Sequence, residues 1–320
     1  MMTKPKVIVT RRWPREVEAR LADMFDVTLN EADRPYGQQE LREALRQADA
    51  VLPTVTDKLG ADILAAGMRT KILGNFGVGF NHIDIPAARS AGLVVTNTPA
   101  VLTDATADLA MTLLLMCARR AGEGERELRS GAWSGWRPTH LCGTQVTGKT
   151  IGIIGMGRIG QAMARRCHFG FGMDVVFFDS YPVANPGVPA RQLATVEEVL
   201  AAADFVSLHC PGGGENHNLI NQQRLACMKS TAILINTARG DVVDEEALVQ
   251  ALDKGLIKGA GLDVFKSEPV VPSTLTDRQD VVLLPHLGSA TSETRIAMGM
   301  RVIDNLSAFF EGRTPPDMVT

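Results

Sequence analysis

Gly155-Met156-Gly157-Arg158-Ile159-Gly160 is the stretch whose reading decides the fold, because of what stands on either side of it. Before it runs Lys149-Thr150-Ile151-Gly152-Ile153-Ile154, a short apolar segment that reads as a buried parallel strand. After it comes Gln161-Ala162-Met163-Ala164-Arg165-Arg166, built of good helix formers. A second apolar run, Asp174-Val175-Val176-Phe177-Phe178, ends in Asp179. Strand, glycine turn, helix, strand and terminal acid follow one another as a dinucleotide-binding unit requires. In that reading Gly155 permits the tight turn, Gly157 lets the backbone approach a pyrophosphate, and Gly160 lets helix and strand pack closely. The first amides of the helix then face the phosphates. Asp179 lies nineteen residues past Gly160, against about 20 in such units. A carboxylate there accepts hydrogen bonds from the ribose hydroxyls and repels a 2′-phosphate, which favours NAD(H) over NADP(H). Ser180-Tyr181-Pro182 supply no cation to reverse that preference. The bland alternatives are a glycine turn that only joins strand to helix and an aspartate that only caps a turn.

Composition sets the frame for this unit. With 320 residues the chain has room for two domains, and 45% apolar with 22% charged residues is ordinary for a globular protein. A net charge of −3, without a basic cluster, speaks against nucleic acid as a partner. The longest apolar stretch, Leu109 to Ala118, is too short for a membrane span. Met1-Met2-Thr3-Lys4-Pro5 leads directly into an apolar strand with no signal-like segment, so a cytoplasmic location is expected. Five scattered cysteines (Cys117, Cys142, Cys167, Cys210, Cys227) show no paired spacing, which suits a reducing compartment and no bound metal.

Strands and helices alternate along the whole chain. Val7-Ile8-Val9, Asp26-Val27-Thr28-Leu29, Ala50-Val51-Leu52, Lys71-Ile72-Leu73 and Leu93-Val94-Val95-Thr96 read as strands, with helices at Glu16–Met24 and Gln38–Gln47. This half has no GxGxxG. A long helix is expected over Thr103–Arg119, followed by a loop holding Trp133 and Trp136. The nucleotide unit then continues through strands at Phe205–His209, Ala232–Asn236, Gly259–Asp263 and Val281–His286, and Thr291–Glu311 reads as a terminal helix. Pattern alone suggests one domain cut near residue 145.

Three polar residues stand at strand ends or in the turns after them: Arg239 in Asn236-Thr237-Ala238-Arg239-Gly240, Glu268 in Glu268-Pro269, and His286 in Pro285-His286-Leu287-Gly288. A guanidinium can grip a substrate carboxylate in a bidentate manner. An imidazole can give or take a hydroxyl proton, and a carboxylate beside it fixes the tautomer and favours the charged form. Taken singly, each could equally be a surface ion pair, a solvated charge or a satisfied core histidine.

Together with Gly155–Gly160, Gly261-Leu262-Asp263-Val264-Phe265 and Pro285-His286-Leu287-Gly288-Ser289-Ala290-Thr291, these motifs give a chain that resembles the D-isomer-specific 2-hydroxyacid dehydrogenases over nearly its whole length. The resemblance implies an α/β fold of two doubly wound parallel-sheet domains, a Rossmann cofactor domain (99–289) inserted into a flavodoxin-like substrate domain (1–98 and 290–320). It implies Arg239 as substrate clamp, His286 as acid/base and Glu268 as its partner. It places Asp263 at the nicotinamide carboxamide, and Val78 and Gly79 of Gly77-Val78-Gly79 at the substrate carboxylate. Thr106, Arg158, Ile159, Cys210, Pro211, Thr237, Ala238 and Gly288 complete the implied cofactor contacts, which also take in Arg239 and His286. Asn81 stands where an aspartate is common, and Gly212-Gly213-Gly214 replaces a Leu-Thr type continuation after Pro211.

The segment Arg129–Pro138, with both tryptophans, resembles the loop of glyoxylate/hydroxypyruvate reductases that reaches a partner subunit. A homodimer is therefore expected, with this loop and the apolar Thr103–Arg119 helix at the contact. The implied activity is NAD(H)-dependent reduction of glyoxylate and hydroxypyruvate. A dehydrogenase for D-lactate or 3-phosphoglycerate, and an NAD(H)-sensing corepressor-type scaffold, are the competing readings; the short segment after the last helix speaks against the scaffold.

Overall fold

The computed structural model describes residues 4–64 and 68–320, so the opening Met1-Met2-Thr3 lies outside it. The chain divides into two compact units: Met1–Leu102 with Ser289–Thr320, and Thr103–Gly288.

The first unit carries a five-stranded sheet: β1 (Lys6–Val9), β2 (Asp26–Thr28), β3 (Ala50–Leu52), β4 (Ile72–Gly74) and β5 (Val94–Thr96). Every pairing is parallel, in the order β2-β1-β3-β4-β5, which is the flavodoxin-like winding. β3 and β4 are buried at every residue, as expected of short apolar runs covered on both faces. Helix Gln38–Gln47 sets Leu41, Ala44 and Leu45 at helical spacing into the core with Ile8, Val51 and Leu73. The terminal helix Ser292–Phe310 belongs to this unit because glycines let it close in. A Cβ on Gly74 would lie 2.7 Å from Val302 Cγ1, and one on Gly299 would lie 2.5 Å from Val17 Cγ1. Past this helix, Asp317 is buried between Arg301 and Asn305, at 2.6 and 2.9 Å, and Val319 N–H donates to Val95 O.

The second unit carries seven parallel strands: β6 (Thr150–Ile154), β7 (Asp174–Phe178), β8 (Ala190–Gln192), β9 (Phe205–Leu208), β10 (Ile233–Asn236), β11 (Gly259–Leu262) and β12 (Val281–Leu283). Their order is β12-β11-β10-β9-β6-β7-β8. The winding reverses between β6 and β9, where ligands of such sheets bind at the carboxyl ends. β8 has no apolar signature, since Arg191 and Gln192 are exposed, and its place is fixed by pairing with β7.

Helix Thr103–Ala118 bears on two expectations. Its Ala107, Ala110, Met111, Leu113 and Leu114 are buried in the core that also holds Ile151, Ile153 and Ile235. Those five side chains are accounted for within the helix's own unit, whereas Leu109, Leu115 and Met116 are only partly buried. The same packing moves the first boundary to Leu102/Thr103, away from residue 145, and Ser292–Phe310 makes the first unit discontinuous. Among the described residues no helix is long and apolar enough to cross a membrane.

Candidate active site

The glycine turn occupies the carboxyl end of β6. Gly155 has φ +92°, and a Cβ on it would lie 2.8 Å from both Cys210 N and His209 C, so only glycine fits between β6 and the end of β9. A Cβ on Gly160 would lie 2.2 Å from Gly155 O, which locks helix Arg158–Arg165 against the turn. Gly157 differs: a Cβ there would meet nothing within 4 Å. That open flank, at the head of a helix whose first amides lack intrahelical acceptors, fits a pyrophosphate. Arg158 and Gly157 are exposed there, with Ile159 partly so. Asp179, one residue past β7, ties into the turn by accepting Met156 N–H at 2.8 Å and Tyr181 N–H at 3.2 Å. The structure thus brings the acid and the glycines together across 23 residues of chain.

The end of β12 and the residues after β11 carry the acid/base pair. His286 Nδ1 lies 2.8 Å from Glu268 Oε2, and Glu268 Oε1 accepts Phe265 N–H at 3.0 Å. Burial raises the Glu268 carboxyl, but the His286 hydrogen bond and charge, the Phe265 amide and Arg239 together bring it below the usual range. His286 itself has φ +55°, in the left-handed region that few non-glycine residues occupy. Asp263, 1% exposed, holds it there. Its carbonyl accepts His286 N–H at 2.9 Å, and its two carboxylate oxygens accept Leu287 N–H at 2.7 Å and Gly288 N–H at 2.8 Å. Burial pushes the Asp263 carboxyl up to about 6. Thr106, buried at the head of its helix, lies against Gly288: a Cβ there would be 3.6 Å from its Cγ2.

Arg239 follows β10. Asn236 shapes the turn, with Nδ2 donating to Arg239 O at 2.8 Å and Oδ1 accepting Ala238 N–H at 3.0 Å. The guanidinium donates to Ala238 O at 2.6 Å. Burial lowers its proton affinity, and the negative charges of Glu268 and Asp241 oppose that. An arginine remains charged there regardless. Thr237 is buried with its hydroxyl unpartnered among the described residues. Cys210 and Pro211 continue from β9, and burial pushes the Cys210 thiol up to about 11, so it is inert as a nucleophile.

In the first unit, Gly77-Val78-Gly79 follows β4. Asn75 Nδ2 donates to Gly77 O and Gly79 O, both at 3.0 Å, and Asn97 Nδ2 donates to Val78 O at 2.8 Å. Asn75 Oδ1 is 3.0 Å from His82 Nε2. Asn75 and Asn97, not Asn81, supply these contacts, and their only sequence signal is a polar residue just past an apolar strand. At the end of β9, His209 Nε2 is 2.8 Å from Ser207 Oγ, and burial lowers this imidazole to about 4, keeping it neutral.

A dinucleotide-binding turn and an imidazole–carboxylate pair in one unit define an oxidoreductase that moves a hydride and a proton. The chain belongs to the D-isomer specific 2-hydroxyacid dehydrogenase family: residues 111–288 match the family's NAD binding domain, so its cofactor is a nicotinamide dinucleotide. It is 43% identical to a glyoxylate reductase of Thermococcus litoralis, over 99% of this chain and 97% of that one. A solved structure of a Thermus thermophilus protein is 43% identical with a TM-score of 0.91, covering 98% of this chain and 100% of that one. An NADPH-dependent glyoxylate/hydroxypyruvate reductase from Sinorhizobium meliloti, solved with NADP and malonate, is 35% identical with a TM-score of 0.89, covering 99% of this chain and 97% of that one.

Proposed function

We propose that this chain reduces glyoxylate and hydroxypyruvate to glycolate and D-glycerate, using NADH in preference to NADPH. The observation that carries the reading is the His286–Glu268 pair set in one unit with a partly buried Arg239. Its likeness to glyoxylate reductases from end to end supplies the substrate class. Arg239 grips the substrate carboxylate. In the other unit, the amides of Val78 and Gly79 have no protein acceptor among the described residues and are donors suited to a carboxylate. With Nδ1 committed to Glu268, His286 keeps Nε2 for the proton it delivers to the carbonyl oxygen. The bound dinucleotide supplies the hydride. Gly155, Gly157, Arg158, Ile159 and Gly160 would hold its phosphates, Asp179 its ribose, and Asp263, Thr237 and Thr106 its nicotinamide half. Thr103–Gly288 is in this reading the cofactor domain, and the other unit the substrate domain.

Asp179 is the basis for NADH. The S. meliloti relative is named as NADPH-dependent, so the preference needs its own measurement. We further propose a cytoplasmic homodimer. Leu128, Trp133 and Trp136 are 63%, 52% and 83% exposed on one segment, and helix Ala121–Arg129 buries no residue of its own. Steady-state turnover of a panel of 2-oxo acids with NADH and with NADPH tests the activity. The reading holds if glyoxylate and hydroxypyruvate give the highest kcat/KM with NADH, and fails if neither turns over. Light scattering that gives one 34.4 kDa chain at micromolar concentration would refute the dimer.

A further inference from the structure

The Gly212-Gly213-Gly214 run has no place in the activity derived so far, yet its contacts lead to Arg239. A Cβ on Gly212 would lie 2.5 Å from Asp241 Oδ1, 2.8 Å from Arg239 Cγ and 2.9 Å from Arg239 Cβ. The loop backbone therefore lies directly against the root of the clamp's side chain, where no side chain could intervene. Gly213, at φ +75°, donates its N–H to Asp241 Oδ2 at 2.7 Å. Asn218 N–H donates to Asp241 O at 2.7 Å, and His217 Nδ1 lies 3.8 Å from the same Oδ2. Farther along, Ile220 N–H donates to Val242 O and Asp244 N–H to Ile220 O, so the strap continues beyond Asp241. Asp241 is thus bonded through both side chain and backbone to the loop that walls in Arg239, two residues before it. The absence of a side chain at Gly212 makes room for that carboxylate.

We infer that Asp241 is a positioning residue for substrate binding. Its carboxylate anchors Gly213, and the anchored loop holds the Arg239 stem in the geometry that meets the substrate carboxylate. The inference rests on Arg239 being the clamp. A freed loop leaves the charge on Arg239 intact but lets its stem move, and a clamp that grips the carboxylate in ground and transition states alike shows its loss in KM first.

The test is turnover of glyoxylate at saturating NADH for Asp241→Ala, Asp241→Asn, Gly212→Ala and Arg239→Ala. Asp241→Ala is expected to raise KM about tenfold while kcat changes by less than about threefold. Asp241→Asn keeps an oxygen for Gly213 N–H and is expected to recover most of that loss. Gly212→Ala reaches the same contact from the loop side and is expected to raise KM as well, which keeps the inference testable if Asp241→Ala folds poorly. A KM for Asp241→Ala within about twofold of the parent overturns it. So does an Asp241→Asn enzyme as impaired as Asp241→Ala, which would assign the effect to charge and not to the Gly213 bond. Arg239→Ala separates the layers: if it leaves KM unchanged, the clamp assignment itself fails, whereas a raised KM there with a normal Asp241→Ala removes the positioning role alone.

Discussion

Two loops, one in each unit, are held by opposite halves of the peptide group. Gly77-Val78-Gly79 has its three carbonyls taken by Asn75, Asn97 and Thr98 N–H. Its Val78 and Gly79 N–H groups have no protein acceptor among the described residues. His286-Leu287-Gly288 has its three N–H groups taken by Asp263, and presents a side chain. The contrast teaches how one sheet architecture builds two kinds of site. A neutral amide donor as anchor yields a loop that offers backbone donors. A buried carboxylate as anchor yields a loop that offers an imidazole. Each anchor is buried, so neither water nor movement easily replaces it.

The comparison can be broken most sharply at the imidazole. His286→Ala should reduce glyoxylate turnover by about 10²–10⁴-fold, the usual scale of general acid catalysis. An enzyme that keeps most of its turnover would leave the Asp263-anchored loop without a catalytic purpose. Asn75→Ala attacks the other loop. It leaves Gly79 O without its Asn75 donor and Gly77 O with Thr98 N–H alone, and should cost about 1–3 kcal/mol of stability in denaturant titration. It should also raise substrate KM more than it lowers kcat, because the amides grip the carboxylate in ground and transition states alike. A shift in kcat alone would mean that this loop does not bind the carboxylate.

Asp179→Ser combined with Ser180→Arg asks whether the glycine turn's acid discriminates cofactors. The ratio of kcat/KM for NADPH over NADH should rise by an amount worth about 1–3 kcal/mol. Faster turnover by the parent at low NADPH than at low NADH would already contradict the assignment. The smallest effect is expected from Glu268→Gln. Glu268 is held ionised below the usual carboxylate range, so it stays a charged partner for the ring throughout neutral and mildly acid pH and is lost only as pH falls through its lowered range. The amide still offers the ring an oxygen, so kcat/KM for reduction at neutral pH should fall by about tenfold or less. An unchanged kcat/KM would show that Glu268 only orients the ring.

Much of this was legible in the chain itself. Lys149–Asp179 is contiguous, and strand, turn, helix and acid follow from local rules: apolar runs, glycines where a Cβ has no room, and a charge at a strand end. Gly155 and Gly160 are forced by contacts within β6, its turn and the neighbouring end of β9. The family motifs around Arg239, Glu268 and His286 named the chemical groups in the same way. What the chain alone left open were the anchors. Asn75 bonds Gly77 and Gly79 close by in the chain, but Asn97, Asp241 and the carboxylate of Asp263 reach partners 19, 28 and 24–25 residues away. No periodicity marks which lone acid or amide will be buried against which backbone. The single cut suggested near residue 145 failed for a related reason, since an apolar helix looks the same whichever core receives it. Sequence by itself determined the type of most elements and the chemical groups available, because those depend on neighbouring residues; β8 was the exception. The tertiary structure decided which unit each helix joins and which atoms hold the site, because burial and hydrogen-bond pairing are settled only when distant segments meet.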